Sequence, residues 1–168
     1  IGKKVVDIAS KGLGMKVIAY NRHITENKEE EFGYLTPNMK ELFANADFIS
    51  LHLPGSAATH HMINAELIGL MKPTAYLINC GRGEVVDEAA LIEALKAHKI
   101  QGAALDVVET NLPADDNPLL KMDNVIVTPH TAAFTTEALE NMAYQAALGV
   151  YETLEGKPVT FPINKLGR

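Results

Sequence analysis

Short apolar runs alternate with longer stretches whose apolar positions recur at helical spacing through most of this chain of 168 residues. The runs at 16–20, 34–35, 48–51, 76–78, 102–105 and 125–127 predict strands, and the periodic stretches at 3–11, 38–44, 65–71, 88–97 and 136–154 predict helices. Breakers fall between them: Gly12 and Gly14 end the first helix, Pro37 opens the second, and Gly156-Lys157-Pro158 stops the last. The acidic run 26–31 reads as a solvated surface segment, and 113–118 as a polar, proline-bounded loop. Strand and helix in alternation require parallel pairing with crossover helices, so the pattern predicts a doubly wound parallel α/β sheet. No internal repeat or low-complexity tract interrupts it.

Three motifs follow directly on predicted strands: Asn79-Cys80-Gly81-Arg82-Gly83, Leu105-Asp106-Val107-Val108-Glu109 and Thr128-Pro129-His130-Thr131-Ala132. In an open parallel sheet, ligands bind beyond the carboxyl ends of the strands, so Arg82, Glu109 and His130 are expected to meet there. A guanidinium presents a fixed fork of donors to a carboxylate. An imidazole exchanges a proton near neutral pH, and a carboxylate bonded to it fixes its tautomer and favours the imidazolium. The set suits a 2-oxo or 2-hydroxy acid, with Arg82 holding the carboxylate and His130 moving the proton. No side chain supplies hydride, which implies a nicotinamide cofactor.

The order Ile1-Gly2, His52-Leu53-Pro54 with Thr59, Asn79-Cys80-Gly81-Arg82-Gly83 with Val86-Asp87, Leu105-Asp106-Val107 with Glu109, and Pro129-His130 with Ala132 resembles the D-2-hydroxyacid dehydrogenase family over nearly the whole chain. The resemblance implies a Rossmann-like NAD(P)-binding domain. It assigns Arg82 to substrate binding and polarisation, Glu109 to pairing with the histidine, and His130 to general acid/base work. Cofactor contacts are implied for Ile1 and Gly2 at the pyrophosphate, for Leu53, Pro54 and Thr59 along a loop, and for Cys80, Gly81 and Arg82 near the nicotinamide. Asp106 is implied on the carboxamide, with Thr131, Ala132 and Ala133 beside His130. A homodimer is also implied. The resemblance admits 3-phosphoglycerate, lactate-like, glyoxylate or hydroxypyruvate substrates. A second reading stays open, that of a dinucleotide-sensing, corepressor-like interaction protein of the same fold.

The chain departs from the dinucleotide fingerprint at its start, where only the final glycine of G-x-G-x-x-G is represented, by Gly2, and the first strand is lacking. It does not begin with methionine, so a piece of a longer protein is expected. Residues 1–157 are expected to form a cofactor domain incomplete at its N-terminus, and 158–168 an exit segment toward a separate substrate domain. Such a fragment alone should be a poor enzyme, because cleft closure needs the other half. At the end of the second strand the expected carboxylate is replaced by Asn21-Arg22-His23, which favours NADP(H) over NAD(H); the plainer reading puts Arg22 and His23 on a solvated loop.

Net charge is −6, with basic residues scattered, which argues against nucleic-acid or polybasic membrane binding. No apolar run reaches the length of a membrane span, and the cytoplasm is the expected compartment. The single cysteine, Cys80, excludes an intrachain disulfide and reads as a small buried residue. No metal site is expected: adjacent histidines such as His60 and His61 should not share a face, and no cysteine or carboxylate framework surrounds them or His52. Alone, Arg82 could satisfy turn carbonyls, Asp106 could bind backbone amides, and His130 could be a structural cap beside the capping hydroxyls of Thr135 and Thr136.

Overall fold

A computed structural model describes residues 1–21, 34–110 and 113–162. It contains two compact units, Ile1–His130 and Thr131–Arg168.

In the first unit, α1 (Gly2–Asp7) continues into a π-helical turn (Ile8–Gly12), followed by β1 (Ile18–Tyr20), β2 (Tyr34–Thr36), α2 (Met39–Asn45), β3 (Phe48–Leu51), α3 (Ala65–Leu70), β4 (Tyr76–Asn79), α4 (Glu88–Lys96), β5 (Gly102–Leu105) and β6 (Val125–Val127). Short 3-10 turns at Gly83–Val85 and Pro118–Lys121 precede α4 and β6. Side-chain caps set the helix starts: Asn38 accepts from the amides of Lys40 and Glu41, Asn64 from Glu66 and Leu67, and Asp87 from Ala90. The second helix therefore opens on Asn38, with Pro37 only preceding it.

Among the described residues, all strand pairs are parallel. The strands form two pieces, β1-β2 and β3-β4-β5-β6. Register is even along the larger piece: Phe48 is opposite Tyr76, and Tyr76 is opposite Gly102.

Alternation decides which face is buried. Ile49, Leu51, Leu77, Ala103 and Leu105 point into a core shared with Phe43, Leu67, Ile68, Leu91 and Leu95 from the helices. Each fully buried aliphatic side chain there contributes roughly 1.5–3 kcal/mol of transfer free energy. The opposite face carries Phe48, Tyr76 and Ile126, which stay exposed, with the first two rings stacked at 5.6 Å. Gly102 makes room for that pair, since a Cβ there would lie 3.2 Å from the Tyr76 ring and 2.4 Å from the Asn124 carbonyl oxygen.

The second unit is built on α5 (Thr136–Leu154), capped by Thr135 Oγ1, which accepts from the Ala138 amide at 3.1 Å. Gly156, at φ 65°, turns the chain back, and the Lys157 amide donates to the Glu152 carbonyl at 2.8 Å. The Glu152 carboxylate accepts from the Thr160 amide at 2.8 Å and from its hydroxyl. These bonds, the hydroxyl's first, hold the carboxyl below the usual range. The predicted exit segment is thus fastened to the helix as far as Thr160. Among the described residues, no helix is long and apolar enough to cross a membrane.

Candidate functional site

The loop after β4 is organised by the asparagine that opens its motif. Asn79 is buried; its Oδ1 accepts from the Gly81 amide at 3.0 Å and its Nδ2 donates to the Arg82 carbonyl at 3.0 Å. One amide therefore clamps both ends of the Cys80–Arg82 turn. Arg82 is exposed and donates through Nη1 to the Gly81 carbonyl at 2.9 Å, so its side chain lies along its own turn. Cys80 is exposed, contrary to the expected buried residue. Partial desolvation, and then the Asp106 carboxylate, push its thiol up.

The end of β5 lies beside this turn. The Asp106 amide donates to the Asn79 carbonyl at 2.9 Å, and a Cβ on Gly83 would fall 2.7 Å from the Glu109 nitrogen, so the arginine loop rests on the glutamate's backbone. Asp106 is buried and accepts from the Thr128 hydroxyl at 2.5 Å, which ties β5 to the end of β6. The His130 amide donates to the carbonyls of Asp106 at 3.0 Å and Thr128 at 2.9 Å. His130 sits at φ 56°, a left-handed conformation uncommon for a non-glycine residue, and it is exposed. Arg82, Glu109 and His130 therefore follow three adjacent strands at their carboxyl ends.

The predicted bond between Glu109 and His130 is not the one found. Glu109 Oε1 is 2.7 Å from His61 Nε2. Its amide donates to the Glu88 carboxylate at 2.8 Å, and Glu88 also receives Asn117 Nδ2 at 2.7 Å. Adjacent histidines in an extended chain point to opposite sides, which is why no metal site is expected at His60-His61 from the sequence. The φ of 49° at His61 reverses that expectation: the backbone turns left-handed, and the rings of His60 and His61 stack at 4.0 Å. His60, His61 and Glu109 each bring one ligand atom within 4.8 Å of the others.

A cleft of about 220 Å³ opens beside the end of β1, lined by Tyr20, Asn21, Leu53, Pro54, Ser56, Ala58, Thr59 and Met62. It joins Asn21, Leu53, Pro54 and Thr59, four of the predicted cofactor residues. Thr59 is buried, and its hydroxyl lies 2.7 Å from the Pro54 carbonyl and 2.9 Å from Ser56 Oγ, so it shapes the loop from within. Met62 and Ala58 were not anticipated, although their apolar character next to Thr59 fits a wall for a planar ring. Gly2 packs against His52, with ordinary room for a Cβ at 3.6 Å from that ring; Ile1 is exposed. Burial lowers the pKa of His52. Gly81 has less room, because a Cβ there would approach the Leu53 carbonyl oxygen to 3.2 Å. Arg22 lies outside the described residues, and Thr131, Ala132 and Ala133 belong to the second unit.

A parallel sheet with an apolar cleft on one side of its strand ends and polar side chains on the other is the architecture of a dinucleotide-dependent protein. Known proteins agree. The profile of the D-isomer specific 2-hydroxyacid dehydrogenase family, NAD binding domain, matches residues 1–132. The chain is 41% identical over 164 residues to D-3-phosphoglycerate dehydrogenase of Synechocystis sp., covering 98% of this chain and 29% of that protein. It is 43% identical over 156 residues to glyoxylate reductase of Thermococcus litoralis, covering 93% of this chain and 47% of the relative. Among solved structures, D-lactate dehydrogenase with NAD+ from Lactobacillus jensenii superposes with a TM-score of 0.85 at 36% identity, covering 98% of this chain and 53% of that one. The chain belongs to the D-isomer specific 2-hydroxyacid dehydrogenase family, through its NAD binding domain. It spans about half or less of the length of these relatives.

Proposed function

We propose that the protein to which this domain belongs is a nicotinamide-dependent oxidoreductase interconverting a small D-2-hydroxy acid and its 2-oxo acid. The observation that carries the reading is the arrival of Arg82, Glu109 and His130 at the carboxyl ends of β4, β5 and β6, with an apolar cleft at the end of β1. The cleft and the tight Gly81 turn fit an extended dinucleotide, its adenosine half against Asn21, Leu53, Pro54 and Thr59 and its other half near Cys80 and Gly81. When bound, that cofactor supplies or accepts the hydride. Arg82 leaves its own turn to grip the substrate carboxylate and polarise the adjacent carbonyl. His130 delivers a proton to the carbonyl oxygen in reduction and removes it in oxidation. Glu109 exchanges His61 for His130 in the working state, fixing the tautomer of the ring and favouring the imidazolium.

Residues 1–157 make up the cofactor half; the substrate half is contributed by the rest of the protein, and the domain alone turns over poorly. NADP(H) is the preferred cofactor on account of Asn21-Arg22, the working form is a homodimer, and the compartment is the cytoplasm. The corepressor-like reading draws no support from the relatives described, whose names are those of dehydrogenases and reductases.

The test is to incubate the full-length protein with NADH or NADPH and a panel of 2-oxo acids, including glyoxylate, hydroxypyruvate, pyruvate and 3-phosphohydroxypyruvate, while following nicotinamide absorbance. Oxidation of the cofactor with at least one acid is expected, falling by at least about 10²-fold in His130→Ala with cofactor affinity changed by less than threefold (about 0.6 kcal/mol). No turnover on any acid, or wild-type turnover in His130→Ala, would overturn the reading.

A further inference from the structure

We infer that His60, His61 and Glu109 form a binding site for a transition metal of the zinc type, built around the same carboxylate to which the proposed reaction gives a role. The ligand chemistry is two imidazoles and a carboxylate, a set that binds Zn²⁺ with one position left for water. The cluster joins two segments far apart in sequence, and each is held by its own backbone. The His60 amide donates to the Ser56 carbonyl at 2.9 Å, the His61 amide to the Glu84 carbonyl at 2.8 Å, and the Glu109 amide to the Glu88 carboxylate at 2.8 Å. The left-handed turn at His61 is what makes the site possible, because it brings two consecutive rings to the same side where an extended chain would point them apart.

The three ligand atoms are near enough to one another to converge on a single ion once the rings turn. Ligands of a tetrahedral zinc, each at about 2.0–2.1 Å from the metal, stand roughly 3.3 Å from one another. Here the three atoms lie within 4.8 Å, and the His61–Glu109 contact at 2.7 Å is a hydrogen bond whose proton the metal would replace. His60 and Glu109 are exposed and His61 is half-buried, so the rings and the carboxylate can turn toward one ion without repacking of the core.

The consequence for activity rests on the reading proposed above. A metal on this cluster holds Glu109 on the His61 side and withholds it from His130, so zinc inhibits without occupying the substrate position.

Binding and activity are therefore measured separately, on full-length protein freed of metal by chelator and dialysis. Calorimetric titration with zinc chloride is expected to show one site in the wild type. Affinity should fall at least tenfold in His60→Ala/His61→Asn and in Glu109→Gln, with thermal melts confirming that both variants are folded. Asparagine is chosen at His61 because it tolerates the left-handed backbone. Equal zinc affinity in all three proteins overturns the site, and loss in the histidine variant but not in Glu109→Gln overturns the three-ligand arrangement. In the turnover assay, saturating zinc should slow the wild type at least tenfold and leave His60→Ala/His61→Asn unaffected. Tight zinc binding with unchanged wild-type turnover upholds the metal site and instead refutes the role given to Glu109.

Discussion

Gly83 lies where two parts of the site touch, and replacing it with alanine should damage both at once. A Cβ built there stands 1.8 Å from the Val108 carbonyl oxygen, 2.1 Å from its carbonyl carbon and 2.7 Å from the Glu109 nitrogen. Every obstacle is main chain, so no rotamer change relieves the clash, and the arginine loop must part from the Val108–Glu109 segment by at least about 1.2 Å. Overpacking against fixed neighbours costs about 1–3 kcal/mol and sometimes more; with three backbone atoms in the way, about 3 kcal/mol is expected. For a domain of this size that corresponds to a fall in Tm of roughly 6–12 °C. A misplacement of about an ångström between Arg82 and Glu109 should also reduce turnover by around 10²-fold.

Gly55→Ala supplies the control. Its Cβ would meet Glu84 Oε1 at 2.1 Å and Arg82 Cγ at 3.2 Å, and the nearer obstacle is the end of a flexible side chain that can swing away. Its cost should stay within about 1 kcal/mol. Thermal unfolding followed by circular dichroism, together with 2-oxo acid reduction by the full-length variants, measures both effects. A Gly83→Ala protein that melts within about 1 °C of wild type would show that the close approach of the two loops does not constrain the site.

Two other substitutions probe the electrostatics of the strand ends. Cys80 is the single cysteine of these 168 residues, so the alkylation rate of this domain against pH reports one group; the midpoint should lie above the ordinary value of about 8.5, and Asp106→Asn should bring it part of the way down, since burial is the larger cause. An unchanged midpoint in Asp106→Asn would remove the carboxylate from that account. His52 is depressed in the folded state, so between its lowered value and about 6.5 the unfolded chain binds more protons and stability rises with pH. Below that window the contribution is lost. Urea midpoints measured from pH 5 to 7 should climb more steeply in wild type than in His52→Gln, and parallel curves would deny His52 a part in the pH response.

Much of this was legible in the sequence because a parallel sheet announces itself through local pattern. The run Phe48–Leu51 buries every second residue, and the helices behind it begin at Asn38, Asn64 and Asp87, residues whose short polar side chains cap a first turn. The three motifs at strand ends could be placed on one edge for the same reason, since parallel strands carry all their carboxyl ends to one side. What remained hidden depends on quantities that pattern does not encode. The sign of φ at His61 decides whether two neighbouring rings diverge or stack, and histidine gives weaker notice of a left-handed turn than glycine or asparagine does. That turn gives Glu109 a nearby imidazole, to which it is bonded, in place of the His130 ring that the motifs suggest. Asn79 was legible in principle: a buried amide followed within two residues by glycine is a strong hint of a turn clamp, but its partners are backbone groups and leave no trace in side-chain chemistry. The fastening of Thr160 to Glu152 was equally silent, because a carboxylate eight positions upstream on a helix finds a chain that has reversed only after Gly156 turns it. Local periodicity thus specified the scaffold and the edge on which chemistry sits. The partner that Glu109 takes was set by a backbone turn, where the conformation of His61 brings its ring to that carboxylate.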